Sequence, residues 1–306
     1  MEDNRVIYTE DLTRYFGQQA VVRNLNLAVP RGAVVGLLGL NGAGKTTTLR
    51  MLLGMLEPTR GHATVLGKDS RDLTPEDRGR IGFTGEGHFL YDWMSIRDTE
   101  KFGRDTFPRW DDRLFQETVD RFGIARLAHV RSLSRGQRAG VSLASTLATA
   151  PELLILDDPS LGLDPVSRRA LNETLIDFCA TRQRSVLLST HMLDDVERVA
   201  DRVAIIVDGR LLVNTSLDDL QSRVAIWSVD GTFDPTRAAH VPGLIHSRPL
   251  GGRWMLTVAD PDAESEAAIA RLSATAPQRV NASLEDIVLA YLSRSRAEHS
   301  FYAGAN

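Results

Sequence analysis

Between residues 33 and 213, short runs of unbroken apolar residues alternate with stretches in which apolar side chains recur every three or four positions. Residues 33–38, 153–157 and 203–207, with 80–84 and 185–189, have the length of strands and read as buried ones. Between them lie helical patterns. One carries Leu49, Leu52, Leu53 and Leu56, with Pro58 as its stop. A second spans about residues 92–128, with Leu114, Phe115, Val119 and Phe122 on one side and Gly123 as a stop. A third carries Val141, Ala144, Leu147 and Ala148, and a fourth Ala170, Leu171, Leu175 and Phe178 behind an Asp164-Pro165 start. Asp208-Gly209 predicts a tight hairpin into a strand at 211–213. This alternation predicts an α/β domain around a parallel sheet.

Near residue 222 the pattern changes. Strands are expected at 224–229 and 254–258 around a loop rich in Gly and Pro. Helices follow, one with Ala267, Ile269 and Leu272 and one with Leu284, Ile287, Val288 and Tyr291. The expected division is therefore a domain over 1–222 and a small α+β domain over 223–306, the latter without a chemical motif. A length of 306 residues suits that division.

Apolar residues make up 42% of the chain and charged residues 25%, which supports a packed core and argues against disorder. The net charge of −4 offers no electrostatic footprint for nucleic acid, so no such partner is expected. One cysteine, Cys179, excludes a disulfide framework or a Cys-rich zinc site and fits a reducing cytosol. The first residues are acidic and polar, unlike a secretory signal. No apolar run approaches the roughly 18–20 residues that span a bilayer, so any membrane role needs another chain to do the spanning. Only three lysines occur, Lys45, Lys68 and Lys101.

Lys45 lies in Gly39-Leu-Asn-Gly-Ala-Gly-Lys-Thr46, which matches GxxxxGK[ST] between a predicted strand and a predicted helix. The glycines, Gly42 and Gly44 above all, let the backbone wrap an anion. Successive N–H groups from Gly39, Leu40, Asn41, Gly42, Ala43, Gly44 and Lys45, together with the helix N-terminus, then face phosphate. Lys45 reaches the β- and γ-phosphates, the Thr46 hydroxyl ligates Mg²⁺, and Thr47 adds a phosphate contact. The strand at 153–157 ends in Asp157-Asp158, at the sheet edge where ligands of open α/β sheets sit. Asp157 is placed to hold Mg²⁺ directly or through water. Asp158 is placed to orient or deprotonate an attacking water.

Leu133-Ser-Arg-Gly-Gln137 precedes the third helix, with Ser134 as a good N-cap. Here residues 1 to about 222 resemble the ATP-binding cassette (ABC) family, whose signature is LSGGQ. The resemblance implies a P-loop NTPase fold with a helical subdomain at about 87–140, and ATP and Mg²⁺ as ligands. It implies a dimer in which Ser134, Arg135, Gly136 and Gln137 of one subunit cap the γ-phosphate held by the other. Phe16 matches the aromatic that stacks on adenine, with an ordinary core aromatic as the other reading. Glu86 stands where the family usually has a Gln that senses Mg²⁺; a metal role and a solvated loop acid are both open. Asp164 matches a loop that crosses to the second subunit, and also reads as a plain helix cap. His191 matches the residue that reaches the γ-phosphate. Lys45, Asp158 and His191 are thus the expected catalytic set, and Thr46, Asp157 and Glu86 the expected metal set.

Two further departures matter. Arg135 replaces a usual Gly; it reaches a phosphate or a partner's acid, or is solvated. Asp158 replaces a usual Glu, which retracts the carboxylate by roughly 1–1.5 Å. A misplacement of that size costs about 100-fold in rate, so slow hydrolysis is expected. Phe89, Tyr91, Trp93 and Met94 fall where similar transporters dock a membrane subunit, with ordinary packing within the helical subdomain as the other reading. Within the family, Tyr91-Asp-Trp-Met94, Phe107-Pro-Arg-Trp-Asp111 and Ser283-Leu-Glu-Asp286 resemble bacterial exporter systems with separate permeases. The expected function is an ATP-hydrolysing subunit at the cytoplasmic face of the membrane. It would be paired with a permease and with a second copy of itself or a homologous subunit. A non-hydrolysing regulatory subunit and a soluble ribosome-directed switch are the alternatives.

Overall fold

The computed structural model describes residues 4–180, 184–230, 238 and 240–302. The chain divides into two compact units, Met1–Asn214 and Thr215–Asn306.

The first unit is built on a six-stranded sheet in the order Arg210–Ser216, Arg202–Val207, Val34–Leu38, Ser185–Thr190, Leu153–Asp157, Ile81–Thr84. The last five of these are parallel. Leu153–Asp157 explains the unbroken apolar runs. Leu153 and Ile155 enter one hydrophobic core, while Leu154 and Leu156 enter another on the opposite face. Both faces are covered, so neither set of alternate positions is polar. Arg202–Val207 turns into its edge neighbour through Asp208 (φ 48°) and Gly209 (φ 78°), the two positive φ values of a tight hairpin.

A second sheet is antiparallel, in the order Gln19–Leu25, Arg5–Phe16, Arg60–Val65, Lys68–Asp69, with Ala28–Pro30 also paired to Arg5–Phe16. The hydrophobic pattern did not predict it. Arg5–Phe16 is interrupted by register shifts between Leu12 and Arg14 and between Glu10 and Thr13, which break the alternation. Its buried Val6, Leu12, Val22 and Val65 share a core with Leu49, Met51 and Leu52 of the helix Lys45–Leu52. That helix is shorter than the sequence pattern suggests. It stops before Gly54 (φ 63°), where a Cβ would overlap the Ser70 carbonyl, so Leu56 and Pro58 lie beyond it.

The expected helix at 92–128 is two helices, Ile96–Thr106 and Asp112–Arg121. The intervening segment contains Pro108, and Asp111 caps the second helix by accepting the Leu114 N–H. Arg135–Ala148 is apolar on two sides. Ala139, Leu143 and Leu147 pack toward the central sheet; Val141, Ala144 and Ala148 pack with Ile96, Phe115 and Val119 of the helical region. The second unit has an antiparallel sheet, Leu244–Leu250, Arg253–Ala259, Val224–Val229, Gln278–Val280, over a core with Trp227, Leu256 and Ile269. Leu244–Leu250 occupies part of the predicted Gly/Pro-rich loop. Among the described residues no helix is long and apolar enough to cross a membrane.

Candidate functional site

Sheet register assembles the site. Leu38 lies opposite Thr190, and Asp157 opposite Ser189, so three adjacent parallel strands end at one edge. The glycine loop leaves the first strand there, His191 follows the second, and Asp158 follows the third. A cavity of about 280 Å³ at this edge is lined by Asn41, Gly42, Gly44, Lys45, Thr46 and Thr47. Glu86, Asp158 and His191 also line it, with Val21 and Leu161.

The loop fits a phosphate cradle. Gly44 caps the helix with φ 102°, and a Cβ there would stand 2.7 Å from the Val21 carbonyl. A Cβ on Gly39 would come within 2.7 Å of the Ile206 carbonyl. At Gly42 there is open space, and the requirement is its φ of 83°. Lys45 is buried and donates from Nζ to the carbonyl oxygens of Gly39 (2.8 Å) and Leu40 (3.4 Å). Burial lowers its pKa, opposed by the charges of Asp158, Asp157 and Glu86. Leu40 is partly exposed and Ala43 is buried; both shape the loop from outside the cavity lining.

Asp157 is buried behind the cavity, where its Oδ1 accepts the Ser189 hydroxyl at 2.6 Å. Asp158 has a positive φ of 46°, and its backbone N–H donates to the Ser189 carbonyl. Its Oδ1 accepts the His191 backbone N–H (3.3 Å) and lies 2.9 Å from the His191 ring Nδ1. An ionised carboxylate only accepts, so Nδ1 carries the proton in that contact. The Glu86 carboxylate is exposed and makes no hydrogen bond or ion pair among the described residues. The oxygen-bearing side chains that line the cavity, Thr46, Thr47, Glu86 and Asp158, are hard donors of the kind that suits Mg²⁺. Among the described residues no three acids or histidines are grouped as a metal site.

The other expected site residues lie apart from this cavity. Phe16 ends its strand, about half-exposed, with the Arg14 guanidinium 4.9 Å above its ring. Asp164 caps the helix Pro165–Cys179, accepting the N–H groups of Val166 and Ser167 and the Ser167 hydroxyl. Those bonds, the Ser167 N–H first, hold its carboxyl below the usual range. Ser134 and Gln137 form a capping box: Gln137 N–H donates to Ser134 Oγ, and Ser134 N–H to Gln137 Oε1. Two polar groups of the signature are therefore already paired within the chain. A Cβ on Gly136 would collide with the Ser167 side chain. The Arg135 guanidinium lies over Gly162, so this arginine links the signature helix to the loop before Asp164.

Val21, Leu161 and Ser189 belong to the site without having been singled out from sequence. Each reaches it through tertiary packing, and each is a common core or loop residue with no local signal. His88 is also new. It is buried at φ 47° with an unpartnered Nδ1, and burial, then Arg135 and Arg138, lower its pKa. Phe89, Tyr91 and Trp93 are exposed beside it, while Met94 is buried.

The parallel sheet and its glycine loop, with acids at the strand ends, define a P-loop nucleoside-triphosphatase domain. The family model described as ABC transporter matches residues 22–161. The chain is 33% identical over 220 residues to the bacitracin transport ATP-binding protein BcrA of Bacillus licheniformis, covering 71% of this chain and 72% of that protein. It is 34% identical over 229 residues to the daunorubicin/doxorubicin resistance ATP-binding protein DrrA of Streptomyces peucetius, covering 72% and 68%. A solved ATP-binding subunit of an ABC transporter superposes with a TM-score of 0.64 at 28% identity, covering 71% of this chain and 92% of that one. The chain belongs to the ABC transporter family, as an ATP-binding protein. Domains of this family bind ATP, generally with Mg²⁺, and hydrolyse it. They serve as the ATP-binding subunits of transporters.

Proposed function

We propose that this chain hydrolyses Mg-ATP at the Lys45 loop and so drives a separately encoded permease, in the direction of export, at the cytoplasmic face of the membrane. The observation that carries the reading is the cavity in which the glycine loop, Asp158 and His191 meet. The relatives BcrA and DrrA, whose names state bacitracin transport and drug resistance, support export.

In this reading the loop N–H groups and Lys45 bind the β- and γ-phosphates, and Thr46 holds Mg²⁺ with Asp157 behind it. Mg²⁺ supplies charge neutralisation on the phosphates. Asp158 orients the attacking water, and His191 positions Asp158 while facing the γ-phosphate. Phe16 lies against the adenine. Ser134, Arg135, Gly136 and Gln137 of a second subunit cover the γ-phosphate, and Asp164 lies in the loop at that interface. ATP is then part of the interface, and hydrolysis releases it. The exposed Phe89, Tyr91 and Trp93 dock the permease.

Asp158 favours a slow enzyme. Its short side chain is already engaged by His191 of its own chain, and the same observation motivates the second reading, a subunit that binds ATP without turnover. Ser134→Arg tests the interface: size-exclusion chromatography with light scattering in Mg-ATP is expected to give a dimer for the unaltered chain and a monomer for the variant. ATP binding should be equal in both. ATP-dependent dimerisation of the variant would contradict the reading. Steady-state turnover in the reconstituted complex separates a slow ATPase from one that does not turn over.

A further inference from the structure

Acids outnumber ammonium groups around the phosphate cavity. One ammonium, that of Lys45, lines it together with two carboxylates, Glu86 and Asp158, and a third carboxylate, Asp157, lies behind. All three acids act electrostatically on Lys45. The acids are not equivalent. Asp157 is bonded to Ser189, and Asp158 is held by His191. Glu86 is bonded to nothing among the described residues and is exposed on the cavity wall. A triphosphate entering without a metal therefore meets one ammonium and two carboxylates on the wall, and of those two only Glu86 has no partner of its own among the described residues.

We infer that Glu86 makes nucleotide binding itself, and not only hydrolysis, conditional on a divalent cation: the chain takes a metal–triphosphate complex and excludes the bare triphosphate. The inference rests on the reading of this cavity as the triphosphate site. A glutamine of the same shape would lack the repulsion, and an aspartate would keep it.

The test is equilibrium titration of the full chain with ATP, once in excess Mg²⁺ and once in EDTA, for the unaltered protein, Glu86→Gln and Glu86→Asp. Removing one unit charge across a partly hydrated cleft should tighten metal-free ATP binding by about tenfold. Glu86→Gln is thus expected to shrink the ratio of the two dissociation constants by about tenfold, mainly through the EDTA arm. Glu86→Asp should keep the ratio of the unaltered chain. An unchanged ratio in Glu86→Gln overturns the inference, as does unaltered chain that binds ATP equally well in EDTA and Mg²⁺. Absence of Mg-ATP binding by the unaltered chain is a different failure, because it removes the triphosphate site itself. Glu86 lies in an exposed loop, and thermal unfolding of each variant checks that the fold is retained.

Discussion

At the scale of single residues, the Asp158 carboxylate is drawn onto the ring and backbone of His191. In its proposed function it stands in for a Glu one methylene longer. In that proposed role the missing methylene withdraws the carboxylate from the water by roughly 1–1.5 Å. Asp158→Glu is expected to raise kcat, by up to about 100-fold, with KM for ATP little changed, since a positioning defect acts in the transition state. Steady-state hydrolysis at saturating ATP checks this, and an unchanged kcat would contradict it. Much of the site was legible because the glycine loop, the Asp157-Asp158 pair and His191 each sit at the end of a recognisable strand. Ser189 and Val21 were not, since nothing in their neighbours along the chain marks them. Ser189 bonds to a strand thirty-two residues away, and Val21 lines the cavity from a strand of the antiparallel sheet. Arg135 was open between a solvated and an engaged side chain; its place over Gly162 depends on a loop distant in sequence.

Elements were legible in proportion to how strongly burial patterned them. Leu153–Asp157 and Ser185–Thr190 are buried along their whole length, and their apolar runs declare it. Arg5–Phe16 mixes polar and apolar residues around its bulges and declares nothing. A strand buried along its whole length, such as Leu153–Asp157, should therefore be a sensitive one. Leu154→Ala, at a fully buried position between sheet and helices, is expected to destabilise the fold by about 2–5 kcal/mol, read as a lower urea midpoint at unchanged slope. The short helix Pro75–Arg78 makes a pH prediction. Lys68 first, then Thr74, hold the Asp77 carboxyl at about 2, below its ordinary 3.8. A depressed carboxyl stabilises the folded state above its unfolded pKa and loses that contribution as pH falls through the folded one. Stability should therefore decline between 3.8 and about 2, and the decline should be shallower in Asp77→Asn. Denaturant midpoints across that interval decide it; equal slopes in the two proteins would contradict the assignment.

For the whole molecule, one question precedes dimerisation, docking and export: whether the cleft at the sheet edge holds a triphosphate through Lys45. Burial works against the charge on this lysine, the surrounding acids work for it, and its Nζ donates to the Gly39 carbonyl at the mouth of the loop. The second unit, in which the sequence shows no chemical motif, has an antiparallel sheet over a hydrophobic core of its own. The direct measurement is calorimetric titration of the full chain and of Lys45→Ala with ATP in the presence of Mg²⁺. The account predicts saturable binding well below millimolar for the unaltered chain and its loss in the variant, with the fold intact by circular dichroism. Equal affinity in the two proteins, or no binding by the unaltered chain at millimolar ATP, would contradict it.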